Sequence, residues 1–310
     1  MSESINSDPI IFSEMSGNKK TFPALPTNKR IITMKNKNKF NRLLIALPAA
    51  LLLATTGAHA GQTTRVSVST ADAQGNQVSG PNAISADGRY VAFYSWADNL
   101  VVGDTNGMSD AFVRDRVTGK TTRVSVGSVG TQGNDMSFTS AISADGRYVA
   151  FMSHASNLVA WDTNGRGDAF VRDLVTGKTT RISVSSAGAQ GNNTSYPNAV
   201  SADGRYVAFS SSADNLVAGD TNGTKDAFVR DRVTGKTTRV SVDSAGVQGN
   251  YGGSPSAISA DGRYVAFTSN ADNLVAGDTN GWGDAFVRDR VIGKTTRVSV
   301  SSAGTQGNKK

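Results

Sequence analysis

The sequence repeats itself every 58 residues, and this period constrains the fold more than any other feature. The segment Ala86-Asp87-Gly88-Arg89-Tyr90 returns at 144–148, 202–206 and 260–264. A fixed period of this length indicates one supersecondary unit used several times, each unit burying its apolar surface against its neighbours. The predicted repeats cover approximately residues 79–136, 137–194, 195–252 and 253–308.

The first 60 residues lie outside the repeat and have the organisation of an export signal. A basic stretch, 34–42, precedes the apolar run 43–53 and the small-residue tripeptide Ala58-His59-Ala60. This order is typical of a secretory signal peptide at 34–60, cleaved after Ala60. Because about a dozen apolar residues cannot cross a bilayer as a helix, we expect a periplasmic or secreted protein that does not span the membrane after cleavage. Residues 1–33 are interpreted as an unstructured extension or a mis-assigned start.

Removing that segment changes what the charge implies. The first 60 residues hold eight of the 32 Lys and Arg and three of the 25 Asp and Glu, which leaves 24 basic and 22 acidic residues and a net charge of +2 in 61–310. The basic character of the whole chain therefore does not indicate a nucleic-acid partner. All 22 of those carboxylates are Asp, which favours turns over helices.

Each repeat predicts four antiparallel strands. In the first repeat, an Asp-Gly turn at 86–89 joins a short apolar stretch to the apolar strand 90–95. The segment 110–115 is a third strand, and 121–126 alternates between apolar and polar residues as a half-exposed outer strand. Apolar inner strands with an amphipathic outermost one are the pattern of a propeller blade, so the predicted fold is an all-β propeller of four 58-residue repeats.

These residues carry a family resemblance. The segment 85–93, followed by Asp115 and Thr118-Gly119, resembles the blade signature of TolB-like, WD40-like (PD40-type) bacterial β-propellers, and the resemblance covers about 63–308. It implies protein–protein contact in the bacterial envelope or outside the cell. Ala86 replaces the usual Pro of that signature, and each repeat is longer than the usual blade by an insertion at 96–109 and its equivalents.

The segment that forms the outer strand occurs once more than the others. It begins at Thr63, Thr121, Thr179, Thr237 and Thr295. The first copy predicts an extra outer strand at 63–68. Four blades then close as a small ring, stay an open arc, or pair with a second chain, and an open sheet edge would favour a homo-oligomer formed through the surplus strand.

The insertion carries the chemical signal of the repeat. Asp104, Asn106 and Asp110 present three oxygen-bearing side chains at positions 1, 3 and 7 of a loop, with Gly107 allowing a sharp bend. Such spacing suits hard cations, and the loop resembles a shortened form of the calcium loops of other propeller repeats. The predicted calcium ligands are Asp104, Asn106, Asp110, Asp162, Asn164, Asp168, Asp220, Asn222, Asp226, Asp278, Asn280 and Asp284. The alternative is a metal-free structural turn, since Asp-Thr-Asn-Gly is also a good turn sequence.

Catalysis has little support in the sequence. Residues 61–310 contain one histidine, His154, no cysteine and no glutamate, so a nucleophile–His–acid site or a thiolate site is not indicated. We therefore expect an exported, non-catalytic module that binds a protein or another extracellular ligand. The alternatives are an extracellular hydrolase or lyase with an aspartate-based site in the propeller channel, and a structural or adhesive surface protein.

Overall fold

The computed structural model describes residues 63–307, which form four separate four-stranded antiparallel sheets and no helix that could cross a membrane. The signal peptide predicted at 34–60 and the extension 1–33 lie outside the described residues. The strands are β1 (Ser79–Ile84), β2 (Tyr90–Ser95), β3 (Asp110–Asp115), β4 (Lys120–Arg123), β5 (Ser137–Ile142), β6 (Tyr148–Ser153), β7 (Asp168–Asp173), β8 (Thr179–Arg181), β9 (Ser195–Val200), β10 (Tyr206–Ser211), β11 (Asp226–Asp231), β12 (Lys236–Arg239), β13 (Gly253–Ile258), β14 (Tyr264–Ser269), β15 (Asp284–Asp289) and β16 (Lys294–Arg297).

Consecutive strands pair as simple meanders, so each sheet is one blade: β1–β4, β5–β8, β9–β12 and β13–β16 are blades 1 to 4. The predicted all-β class and the four four-stranded repeats are confirmed. The outer strand is shorter than expected, because it ends at Arg123 in blade 1 instead of reaching Val126.

Each blade is tied together by an ion pair between its two tight turns. In blade 1, Asp87 accepts hydrogen bonds from the Ser85 hydroxyl and the Arg89 backbone N–H, which shapes the Asp-Gly turn. The Arg89 guanidinium then reaches Asp115 with two hydrogen bonds of 2.9 and 2.7 Å, and this contact holds the pKa of Asp115 well below its usual range. The same pair recurs as Arg147–Asp173, Arg205–Asp231 and Arg263–Asp289.

Blades pack through complementary apolar faces. One face carries small residues, as with Ala92 and Ala111 in blade 1, and the facing side of the next blade carries large ones, as with Phe151 and Phe170. The two phenylalanines stack with ring centroids 5.5 Å apart. Small residues against large ones let adjacent sheets approach closely, so these side chains are fully buried.

The innermost strands pack in the order β1, β5, β9, β13, and within the described residues β13 and β1 have no comparable packing. The ring is therefore not closed.

The expected extra strand at 63–68 does not form. Residues 63–66 have no strand partner, and Val68 makes only an isolated bridge to Gln74. The physical reason is that this copy has no third strand of a preceding blade to pair with. It instead folds like the segments that follow the other outer strands, with Gly75 N–H donating to Ser67 O as Gly133 N–H donates to Ser125 O.

We call these segments the linkers: residues 66–78, 124–136, 182–194, 240–252 and 298–307. Each linker between blades is held on both sides. The Gln132 side chain donates to Asp104 of blade 1, whereas the Gln132 carbonyl accepts from Asn157 of blade 2. The first linker makes only the second kind of contact, between Asn99 and the Gln74 carbonyl. Four blades in an open row therefore use five linkers, which accounts for the surplus copy.

The Asp-Gly turns test how much blade packing depends on a single glycine. Gly88 and Gly204 share a φ of +71°, but a Cβ at Gly204 would overlap the Tyr148 ring of the preceding blade, whereas a Cβ at Gly88 meets no atom closer than 3.7 Å. Gly88→Ala should cost about 1–2 kcal/mol of folding free energy through backbone strain. Gly204→Ala should cost about 1–3 kcal/mol more through overpacking. Urea denaturation of both variants measures the difference, and equal losses would contradict this account of the blade interface.

The turn-to-turn ion pair predicts a loss of stability in acid. Arg263 lowers the pKa of Asp289 from 3.8 to about 2. Since the folded-state pKa is depressed, the pair stabilises the folded protein above the ordinary carboxyl pKa and loses this effect as pH falls toward about 2. The difference in urea midpoint between wild type and Asp289→Asn should therefore shrink as pH falls through this window. Arg263→Gln should show the same flattened acid dependence, and an unchanged acid limb in that variant would exclude the pair as its source.

Candidate functional site

The loops between the second and third strands of each blade, residues 96–109, 154–167, 212–225 and 270–283, are called the insert loops. They bring the predicted calcium ligands together. In blade 3, Asp220 and Asp226 share one donor, the Gln248 Nε2, at 2.8 and 2.9 Å. Asn222 Nδ2 lies 3.4 Å from Asp226 Oδ2. The sequence therefore identified a real cluster of side chains.

The same cluster contains two partners that the sequence reading missed. The guanidinium of Arg239, at the end of β12, lies 3.2 Å from both Asp220 and Asp226. Gln248 reaches the cluster from the following linker. Both residues recur every 58 positions, as Arg123, Arg181, Arg297, Gln132, Gln190 and Gln306, and this shared period is the signal that could have linked them to the aspartates.

All four insert loops repeat this arrangement. Gln132, Gln190 and Gln306 each bridge the two aspartates of their own loop, at distances between 2.6 and 3.1 Å. Arginine contacts both aspartates at 3.1–3.5 Å. Burial raises the pKa of Asp110, Asp162 and Asp220, against the lowering by their hydrogen-bond donors and arginines. The clusters are thus compact, buried and internally neutralised.

This donor set does not fit calcium as it is arranged. Calcium takes six to eight oxygen ligands, but here nitrogen donors from Arg239 and Gln248 face the carboxylates. Asn222 directs its NH2 group at Asp226 and uses its amide oxygen to accept from the Thr224 backbone. Within residues 63–307 there is no group of three or more His, Cys, Asp or Glu side chains able to hold a metal ion. Calcium at these loops stays a prediction.

Removing the arginine separates the two readings of the loop. Arg239→Met leaves two buried carboxylates without their cation and should lower the free energy of unfolding by about 3–5 kcal/mol. Millimolar CaCl2 should raise the melting temperature of this variant, because the metal can replace the missing charge, and should leave the wild type unchanged relative to EDTA. Lys236→Met, an exposed cation on the same strand, is the matched control. A clear calcium-dependent rise in the wild type would contradict the arginine-closed loop and make these loops metal sites.

A second feature emerges when the repeats are compared with one another. Most positions are identical in all four, and the differences are concentrated at a few places. The variable sets are Gly80, Phe138, Tyr196 and Ser254; Tyr94, Met152, Ser210 and Thr268; Trp96, His154, Ser212 and Asn270; and Met108, Arg166, Thr224 and Trp282.

These variable positions lie at one edge of the blades. The first two sets are partners across the strand pairs, as in Gly80–Tyr94 and Tyr196–Ser210. The third set follows the second strand, and the fourth precedes the third strand. We call this the variable edge. The opposite edge, formed by the Asp-Gly and Thr-Gly turns, is nearly identical in every blade.

The invariant cluster holds the variable residues in place. The Asn106 amide oxygen accepts from the backbone N–H of Met108, and Asn164, Asn222 and Asn280 do the same for Arg166, Thr224 and Trp282. A loop fixed by buried charges therefore presents a different side chain in each blade. The metal-like pattern in the sequence acts as the support of the variable edge.

A polar cleft opens at the variable edge, where the innermost strands of all four blades meet. Its volume is ≈ 480 Å³. Its lining includes Asn82, Thr139, Tyr196, Asn198, Lys225 and Ser254. Thr139 donates to the Asn82 amide oxygen at 2.8 Å. Around the cleft, Trp96, Tyr196, Tyr251 and Trp282 are exposed aromatic residues, which is typical of a surface that binds another molecule.

No carboxylate lines this cleft. Every aspartate in residues 63–307 has a hydrogen-bond partner, and His154 has no neighbouring nucleophile; it lies beside Met152 and Gly167. The predicted aspartate-based site in the channel therefore has no residues to carry it in the described part of the chain.

Comparison with known proteins gives structural similarity only. No protein-family model matches the chain, and no curated protein does. Among solved structures, a putative TolB from Agrobacterium tumefaciens is 17% identical with a TM-score of 0.44, and covers 74% of this chain and 64% of its own. TolB from Acinetobacter baumannii is 16% identical with a TM-score of 0.43, over 74% of this chain and 45% of its own. A prolyl endopeptidase structure is 14% identical with a TM-score of 0.45, over 74% and 30%.

The chain thus spans less than two thirds of the length of each of these proteins. Its own geometry carries the assignment of fold: four meandering four-stranded sheets, each opening with the Ser-Ala-Asp-Gly turn, fit a β-propeller built from TolB-like blades.

Proposed function

We propose that this protein is an exported binding module, and that it recognises a segment of another protein with its variable edge. One observation carries the proposal: the residues that differ between otherwise identical blades converge on one surface around one cleft. Drift without selection would scatter differences over both edges. Concentration on one edge is the arrangement that repeat proteins use to present an extended binding surface on a uniform scaffold.

The chemistry of the edge favours a polypeptide ligand. Asn82, Asn198 and Thr139 offer neutral hydrogen-bonding groups suited to peptide N–H and C=O groups. Tyr196 and Trp96 offer aromatic surface at the rim, and Lys225 adds a single positive charge to the cleft. Tyr, Trp and charged anchors around a polar groove are typical of protein–protein interfaces.

The scaffold suits binding because its loops are already ordered. The clusters of Arg239, Gln248 and their equivalents fix the insert loops before any ligand arrives, so little conformational entropy is lost on association. Catalysis receives no comparable support, since the aspartates of 63–307 are committed to turns, arginines and glutamines.

A random-peptide phage library selected on the immobilised full chain tests the proposal. We expect enrichment of a recurring peptide sequence, whose synthetic form binds with measurable affinity in calorimetry. Tyr196→Ser and Lys225→Gly install residues that blade 4 carries at the equivalent positions, so both variants should fold and should weaken binding at least tenfold.

Thr234→Ile is the matched control, since it introduces the residue of blade 4 at the opposite edge. It should bind the peptide like the wild type. Failure to enrich any peptide, or equal binding by all three variants, would refute recognition at the variable edge.

A further inference from the structure

The two end blades of the row carry the two halves of an interface that occurs three times within the chain. The small-residue face of blade 4 is uncovered. Val298 is 49% exposed, whereas its equivalents Val124, Ile182 and Val240 are 0%, 1% and 2% exposed. Ala266, Ala285 and Val287 are likewise only partly buried, although the same residues in blades 1–3 are buried by the following blade.

Blade 1 carries the complementary features. In each internal interface, a tyrosine of one blade packs on the Asp-Gly turn of the next, as Tyr148 does on Gly204. Tyr264 of blade 4 is 42% exposed and has no following turn. Gly88 of blade 1 has the same turn and no preceding tyrosine, because a Cβ there would meet only Arg116 and Ile84.

Polar groups match in the same way. Ala86, Ala144 and Ala202 each donate a backbone N–H to the carbonyl of the equivalent alanine one blade later. This series leaves the Ala260 N–H and the Ala86 carbonyl open at its two ends. Arg232 and Arg290 also lie over the tyrosine of the preceding blade, at 4.3 Å from Tyr148 and 4.5 Å from Tyr206. Arg116 holds the equivalent position in blade 1, with its guanidinium bonded to the Gly88 carbonyl.

We propose that the uncovered face of blade 4 binds blade 1 of a second copy of this chain, head to tail, in the geometry that joins consecutive blades. In that contact Tyr264 packs on Gly88, Arg116 lies over Tyr264, and the Ala260 N–H donates to the Ala86 carbonyl. The interface is heterologous, since the two surfaces differ, so copies assemble into a closed ring or an open chain.

The linkers are compatible with this contact at little cost. The first linker occupies blade 1 where the last linker of another copy would lie: Arg114 contacts the Ser69 carbonyl, and the Thr121 N–H donates to Thr70. The last linker offers Ser301 and Ser302 at the equivalent positions. Exchange of one linker for the other therefore keeps these hydrogen bonds, while the apolar face of blade 4 becomes buried.

Sedimentation velocity of the full chain over a range of concentrations tests the proposal. We expect the mass to rise to two or more chains with concentration. Val298→Asp should abolish association from the blade 4 side. Gly88→Asn should abolish it from the blade 1 side, because Asn tolerates the left-handed backbone and its side chain fills the place of Tyr264. Circular dichroism and melting temperature verify that both variants are folded.

Each variant has a matched control. Val291→Asp alters a valine that is exposed in every blade, and Gly103→Asn alters a glycine with φ of +74° and no atom within 4 Å of its Cβ. Both controls should associate like the wild type. A mixture of Val298→Asp and Gly88→Asn should form pairs and nothing larger, since only one productive interface remains. A wild type that is monomeric at its highest soluble concentration, a mixture that stays monomeric, or controls that lose association with the variants would each overturn the proposal.

Discussion

Burial of the blade faces is the constraint on which the rest of this structure depends. A blade of four short strands has two apolar faces and no interior of its own, so each face must be covered by a neighbour. The chain meets this requirement with one small-residue face and one large-residue face per blade. Ala92 and Ala111 receive Phe151 and Phe170, and the same match recurs at the two following interfaces. Translation of one unit along the chain is therefore enough to build a continuous core.

A second constraint concerns the long insert loops, which need a support of their own. Here the support is electrostatic: two buried aspartates are closed by an arginine of the outer strand and a glutamine of the linker. Both partners belong to the same repeat as the loop. The linker carries the glutamine, and its backbone also binds the next insert loop. Loop order and blade order are thus coupled through one residue, Gln132 in the first repeat.

These two constraints explain where the repeats are identical and where they differ. Residues that pack between blades, form the tight turns or close the insert loops cannot change without loss of a neighbour's contact. The side chains at the variable edge are free of that requirement. Tyr94 and Phe138 contact each other edge to face across two blades, although neither residue recurs elsewhere in its set. The variable edge is the part of the molecule that can acquire a specific ligand without disturbing the scaffold.

The 58-residue period and the strand patterns determined the blade, its four strands and the number of repeats, because these depend on local periodicity and turn chemistry. The same patterns placed Asp104, Asn106 and Asp110 in one cluster. What closes that cluster was decided only by the tertiary structure, since Arg123 and Gln132 approach it from the outer strand and the linker. The meaning of the fifth linker, and the convergence of scattered differences such as Tyr196 and Lys225 on one cleft, likewise depend on how blades pack side by side. Distances between units separated by a whole repeat are set by packing in space, and a linear sequence carries no direct record of them.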